Sequence, residues 1–326
     1  MRSGLRAAAR TSLRLTVMVA ALLFLAKGVA WRDVAEVLRS ASVPLLAAVV
    51  ALNAAMLALK AVRLRLLLGE IPPLTSCLLA KLTASAINNV VPFRGGDVAR
   101  LWMLERHARI SKSAASAVAI IEGLFELLSL AAIASVAAWT TFGQRWAIVA
   151  APVACAAAAI SLVVLKRLEV GPGGTAPPSG ARPWWSGRLA RLVERMQPGT
   201  QALRRPGTIQ RALGLSFGVW GVEITMVMLC ARAIHLPMGP ALAAVTLLGI
   251  NLALALPSMP ASAGAFESGA LVVLMMAGVD KETGVAFALL YHLIQVIPVT
   301  LVGLGIVAKA GVTLDRLPVR RRANLR

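Results

Sequence analysis

Long apolar stretches alternate with short charged segments along the whole sequence, a pattern typical of a protein that crosses a membrane several times. A spanning helix needs about 20 mostly apolar residues. Six stretches meet this length and are predicted to span the bilayer: 12–30, 43–67, 113–140, 144–166, 211–235 and 283–309. Because they run almost from end to end, we expect one integral membrane domain over residues 1–326.

Three further stretches are apolar but are not typical of spanning helices. Residues 74–91 end in two asparagines, residues 240–256 end before a proline, and residues 265–278 are too short. The distribution of basic residues helps here, because cytoplasmic loops carry an excess of Lys and Arg. If only the six long stretches cross and the N-terminus is inside, 27 of the 34 basic residues face the cytoplasm. We therefore predict an all-α polytopic protein with about six spans and two re-entrant hairpins, at about 74–108 and 240–278.

The two hairpins share a pattern of proline, then glycine, then a carboxylate that opens the next helix. The first break is NNVVPFRGGD at 88–97, and the second is PSMPASAGAFE at 257–267. Proline and glycine end a helix, and an acidic residue suits the positive end of the next one. On this topology the hairpins enter from opposite sides, which indicates an inverted-repeat transporter with its site near the membrane midplane. Two ordinary helix hairpins with Pro-Gly turns are the alternative.

The composition agrees with a membrane location and indicates which partners to expect. The chain is 58% hydrophobic and 15% charged, whereas soluble domains average about 45–50% apolar and 25% charged residues. The net charge of +20 lies between apolar stretches, so it indicates topology and attraction to anionic headgroups at the cytoplasmic face, not nucleic-acid binding. The cysteines Cys77, Cys155 and Cys230 lie inside apolar stretches without metal-ligand spacing. We expect them to be small buried hydrophobes, and we expect no metal or cofactor.

The segments outside the apolar core carry three further expectations. The N-terminal stretch is either a cleaved signal peptide or an uncleaved first helix, and Lys27 within the cleavage region favours the uncleaved helix. Residues 167–207 are predicted to form a flexible cytoplasmic loop, and residues 311–326 a basic tail. The expected location is the inner or plasma membrane, with both termini in the cytoplasm.

The residues at the breaks also carry a family resemblance. The segments NNVVPFRGGDVAR (88–100), PSMPASAGAFESGAL (257–271) and YHLIQVIPVTLVGLG (291–305) resemble the transmembrane region of lysylphosphatidylglycerol synthases, which also occurs alone as a flippase-like family. The resemblance covers about residues 12–310. It implies movement of an aminoacylated lipid between leaflets, while a separate soluble domain makes that lipid. The chain ends at Arg326, soon after its last helix, so we expect the translocation half without the transferase half.

Two departures from the family pattern bear on the substrate. The family pattern has an acidic residue paired with an arginine in the helix after the first motif, and an arginine at the start of the last helix. This chain has Glu122 followed by glycine, and Tyr291-His292 in the last helix. If those arginines contact a phosphate or glycan in relatives, the substrate here differs from lysylphosphatidylglycerol.

Ionisable groups inside apolar helices are costly, by about 2.5–3.5 kcal/mol on insertion scales, and therefore mark candidate sites. For Glu122 the alternative is a protonated carboxyl in an interhelical hydrogen bond. For Arg100 it is snorkelling to the membrane surface, and for Asp97 and Glu267 it is helix capping. The candidate substrate-binding residues are Asn88, Asn89, Pro92, Arg94, Gly95, Gly96, Asp97, Arg100, Glu122, Glu126, Pro260, Gly264, Glu267 and His292.

The predicted function is translocation of a lipid or lipid-linked headgroup between leaflets, without a catalytic domain in this chain. The alternatives are an ion- or proton-coupled transporter of a small solute, a membrane-embedded transferase acting on a lipid-linked sugar, and an accessory subunit. Membrane lipids are the expected partners, with a lipid-modifying enzyme encoded separately. A further hypothesis is that Glu122 lacks a fixed cation and lies within reach of His292, whose protonation would then switch the charge of the cavity. The alternative is that the two are unrelated polar residues, each hydrogen-bonded to its own neighbouring helix.

Overall fold

A computed structural model describes residues 27–90, 95–142, 201–254 and 262–309, and most of these residues are helical. Nine α-helices occur in the described ranges: α1 (Trp31–Arg39), α2 (Val43–Leu67), α3 (Leu74–Val90), α4 (Gly95–Ala108), α5 (Lys112–Phe142), α6 (Thr208–Ala233), α7 (Pro240–Leu254), α8 (Ala265–Met276) and α9 (Lys281–Lys309). The predicted span 144–166, most of the span 12–30, the loop before residue 201 and the tail 311–326 lie outside the described residues.

Four described helices are long and apolar enough to cross a membrane, namely α2, α5, α6 and α9. They agree with four of the six predicted spans to within about three residues. Their outward side chains are apolar, as lipid requires: Val136 is 69% exposed and Leu301 68% exposed. The protein is therefore a multi-pass helical membrane protein.

Each of the two broken apolar stretches folds back on itself as a pair of helices. In the first hairpin, α3 and α4 pack together, and a Cβ added to Gly96 would overlap the carbonyl oxygen of Ala84. In the second hairpin, α7 and α8 pack together. There, a Cβ added to either Gly249 or Gly269 would lie 2.6 Å from the carbonyl oxygen of the other. The glycines are needed because the two backbones in each hairpin are in direct contact.

The long helices α2 and α6 run antiparallel along each other. At one end of the pair the N–H of Ser42 donates to the carbonyl oxygen of Ala233, at 2.8 Å. At the other end a guanidinium nitrogen of Arg63 donates to Ser216 Oγ, also at 2.8 Å. The first hairpin packs through α3 on the long helix α9, and the second packs through α7 on the long helix α5.

Helix α9 contains Pro298, which has no N–H to donate to the carbonyl oxygen of Ile294 one turn earlier. The side chain of Asn53, which is buried on α2, donates to that oxygen at 3.2 Å. Lipid could not satisfy this carbonyl group. The contact thus explains how a proline is accommodated inside a spanning helix.

The two largest apolar clusters of the described residues hold most of the helices together. The larger contains residues of α2, α5 to α9, with the aromatic side chains of Trp220, Phe266, Phe287 and Tyr291. The smaller lies beneath the first hairpin and joins α3 and α4 to α2, α5 and α6. Cys77 and Cys230 are buried and free, as the sequence predicted; Cys155 lies outside the described residues.

Candidate functional site

The most unusual feature of the bundle is a group of charged side chains buried between the first hairpin and α5. Glu122 and Glu126 lie one turn apart on α5, on the same helix face. Glu122 is only 3% exposed. An isolated carboxylate in such a place would be strongly disfavoured, so its partners decide whether it can stay charged.

Two cations from the first hairpin bind the Glu122 carboxylate. Lys81 Nζ of α3 lies 2.9 Å from Oε1 and 3.0 Å from Oε2. Arg100 of α4 donates to Oε2 at 2.8 Å. The expectation that Glu122 lacks a fixed cation was therefore wrong. The cations come from neighbouring helices, which the residues next to Glu122 in the sequence do not reveal.

Arg63 of α2 joins the same cluster and is fully buried. Its guanidinium binds the carboxylate of Glu126, and its Nε lies 3.8 Å from Glu122 Oε1. Another nitrogen donates to Ser216 of α6. Trp220 Nε1, also on α6, donates to the backbone oxygen of Glu126 at 3.2 Å. The cluster therefore connects α2, α5 and α6 to the hairpin through charged and polar side chains.

The interpretation of Arg100 as a snorkelling side chain was also wrong, because Arg100 is 8% exposed and ion-paired. Arg63, near the end of the apolar stretch 43–67, also lies inside the bundle. Lys81 was not among the candidate residues. The sequence does distinguish it, since it is the single charged residue in the apolar helix Leu74–Val90, and charged residues in such helices mark sites.

A cleft of about 360 Å³ opens beside this cluster. Asp97, in the first turn of α4, lies on its wall together with the cluster. Gly123 also lines the cleft, and a Cβ added there would meet no atom within 4 Å. The lining residues are Lys81, Asp97, Arg100, Leu101, Ser116, Ala119, Ile120, Glu122, Gly123 and Glu126. The cleft thus offers hydrogen-bond donors and acceptors, both charged, beside an apolar wall.

The two asparagines before the first break form hydrogen bonds that connect α3 to α4 and to α9. Asn88 Oδ1 accepts the N–H of Gly96 at 2.8 Å, which fixes the start of α4. Asn89 Nδ2 donates to Thr300 Oγ1 of α9 at 2.8 Å. Gly95 is buried at the first position of α4. Pro92 and Arg94 lie outside the described residues.

The second hairpin carries its own buried pair, Glu267 with His292. One oxygen of Glu267 accepts the N–H of Gly264 at 2.8 Å, so this carboxylate caps α8. The other lies 2.6 Å from His292 Nδ1 on α9. The imidazole stacks on Phe266, with ring centroids 4.3 Å apart. Pro260 lies outside the described residues.

The hypothesis that His292 and Glu122 form one pair does not match this geometry. His292 binds Glu267 on the second hairpin, whereas Glu122 binds Lys81 and Arg100 on the first. In each half, a buried ionisable residue of a long helix meets the hairpin that precedes it. The signs of the charges are reversed between the two sites. The first hairpin supplies cations to Glu122, and the second hairpin supplies a carboxylate to His292.

Comparison with known proteins assigns the chain to a family. None of the curated proteins matches it. The sequence profile of the lysylphosphatidylglycerol synthase TM region matches residues 12–303, which include all the helices that form the cluster and the cleft. That match spans most of the chain and agrees with the resemblance carried by the two breaks. The chain therefore belongs to the family of the lysylphosphatidylglycerol synthase transmembrane region.

Proposed function

We propose that this protein moves a lipid or lipid-linked headgroup between the two leaflets, and that the headgroup binds in the cleft between the first hairpin and α5. The observation that carries the proposal is a largely buried cluster of three cations and two carboxylates that opens onto a cleft inside an apolar bundle. Charged groups at such positions in a membrane protein mark the path of a polar substrate.

The composition of the cleft suits a phosphate-bearing headgroup. Guanidinium and ammonium groups donate to phosphate oxygens, and carboxylates accept from hydroxyl or amino groups. Among the described residues, Arg100 Nε has no acceptor, so a phosphate entering beside Arg100 would supply one. The acyl chains would remain in lipid beside the apolar wall formed by Leu101 and Ile120.

We further propose that the fold is an inverted repeat with two re-entrant hairpins. The order long helix, hairpin, long helix occurs twice, as α2 to α5 and as α6 to α9. The corresponding helices α2 and α6 have 25 and 26 residues and run antiparallel. The packing of α3 on α9 is matched by that of α7 on α5. Opposed repeats of this kind support alternating access.

The orientation belongs to the same proposal. The excess of basic residues on one side supports the inner or plasma membrane with both termini in the cytoplasm. A single cysteine at Arg109 should react with an impermeant thiol reagent only from the cytoplasmic side, and one at Asp280 only from outside. Labelling of position 109 from outside would overturn this orientation and the six-span count.

The function is tested by reconstituting the full chain into vesicles with fluorescent lipids of different headgroups. A membrane-impermeant quencher reports which labels reach the outer leaflet. We expect translocation of at least one headgroup class above the rate in empty vesicles, and loss of that rate in Glu122→Gln. The matched control is Glu105→Gln, which removes an exposed ion pair with Lys112 on the neighbouring surface and should translocate normally. Normal translocation by Glu122→Gln would contradict the assignment of the cleft.

A proton-coupled transporter of a small solute is a second candidate, supported by Glu126, whose side chain lines the cleft and is 38% exposed. The same vesicles separate the two functions. Proton flux with a soluble solute and no lipid movement would favour the second. We propose no group-transfer step for this chain. A separately encoded enzyme would modify the lipid.

A further inference from the structure

A second cleft, of about 470 Å³, lies on the outer face of the bundle where α2 ends and α6 begins. Its walls are apolar: Val62 and Leu66 of α2, Leu74 of α3 and Leu215 of α6. Val62 is 38% exposed and Leu74 42% exposed. We call this cleft the α2–α6 groove. It shares no lining residue with the cleft of the charged cluster.

Charged side chains lie along one part of the α2–α6 groove. Arg65 and Arg211 line it, together with one carboxylate, Glu70. Arg211 is exposed and lies in the first turn of α6, where the helix dipole adds positive potential. The local charge is therefore positive, beside a wall of aliphatic side chains.

The turn that closes the groove is held by two arginine contacts. Arg65 Nε donates to the carbonyl oxygen of Pro72 at 3.1 Å. Arg205, just before α6, donates to the carbonyl oxygen of Gly69 at 3.2 Å. These bonds connect the turn after α2 with α2 itself and with the segment that leads into α6. They therefore fix the shape of the groove.

We propose that the α2–α6 groove binds an anionic diacyl phospholipid as a fixed lipid, separate from any translocated substrate. An acyl chain would lie against Val62, Leu66 and Leu215, and the phosphate would bind Arg211 and Arg65. Guanidinium groups bind phosphate through paired, charge-assisted hydrogen bonds. Their position at helix ends suits the headgroup level of a leaflet. This site does not depend on the translocation function.

The experiment measures retention of lipid by the purified full chain. The protein is exchanged into detergent with phosphatidylglycerol, phosphatidylcholine or soluble glycerol phosphate, and bound lipid is counted by native mass spectrometry. The test variant is Arg211→Gln, and the matched control is Arg232→Gln, which removes an exposed arginine at the other end of α6. A second variant, Leu215→Trp, fills the groove and leaves both arginines in place.

We expect phosphatidylglycerol to bind in preference to phosphatidylcholine and to raise the melting temperature. Arg211→Gln should weaken its binding about fivefold, the factor that one basic residue contributes near an anionic headgroup. Arg232→Gln should have no effect, and Leu215→Trp should prevent lipid binding. Equal binding of both lipids, equal losses in the two arginine variants, or equal binding of glycerol phosphate alone would each overturn the proposal. A failure to translocate lipid would leave it standing, because the assay does not use transport.

Discussion

Replacing Glu122 by Gln removes the carboxylate that Lys81 and Arg100 share, with almost no change in side-chain volume. The two cationic side chains are only 12% and 10% exposed, so water cannot readily take the place of the carboxylate. Removing one partner of a buried ion pair typically destabilises a protein by about 3–5 kcal/mol, because the remaining charge stays buried. We expect Glu122→Gln to lie in that range, with Glu126 left as a carboxylate in the cluster.

The assay is unfolding of the purified variants in detergent micelles, by heat and by titration with a denaturing detergent. Glu105→Gln is the control, since Glu105 lies 2.8 Å from Lys112 with its side chain 45% exposed. Exposed pairs of this kind contribute about 0–1 kcal/mol. The two substitutions make the same chemical change, so the difference between them reports burial.

A double variant separates the ion pair from general damage to the helix. Lys81→Met with Glu122→Gln removes one cation along with the carboxylate. Its destabilisation should be smaller than the sum of the two single losses, by the roughly 0.5–3 kcal/mol typical of coupled neighbours. The reasoning would be refuted if Glu122→Gln cost no more than Glu105→Gln, or if the two losses were simply additive.

Three further outcomes are expected. Gly123→Leu should block translocation without loss of stability, because its side chain would enter open space in the cleft; Gly218→Leu, on α6 with equally open surroundings, should translocate normally in the vesicle assay. Asn53→Leu should destabilise the bundle by about 1–3 kcal/mol by leaving a buried carbonyl group unpaired, and Pro298→Ala should recover part of that loss in the same unfolding assay by restoring a backbone donor. Asp280 accepts the N–H of Thr283 at 2.8 Å, which holds the pKa of its carboxyl below the usual value. Its contribution to stability, about 1 kcal/mol for such a cap, should therefore be present above about pH 4 and disappear as the pH falls through its lowered pKa, so that Asp280→Ala and the wild type melt alike in acid.

The sequence by itself determined the four spanning helices of the described residues and the breaks between the shorter ones. Spanning helices satisfy their own backbone groups, so each is recognisable from a single apolar stretch of sufficient length. The stretch 43–67 coincides with a helix of the same bounds, and the stretch 74–108 contains α3 and α4 on either side of the Pro-Gly break. The capping role of Glu267 was also one of the two interpretations that its position in the sequence allowed, and the structure shows it.

Only the tertiary structure decided which charges meet. Arg63, Lys81 and Arg100 lie on three different helices and converge on α5. In the sequence each was an isolated basic residue near the end of an apolar stretch or inside one. From the sequence, Glu122 had no predicted cation beside it, and His292 was suggested as its partner. In the folded protein, His292 pairs with Glu267 instead. The physical reason is that hydropathy is a property of each segment alone, while the environment of a buried charge depends on which helices pack beside it.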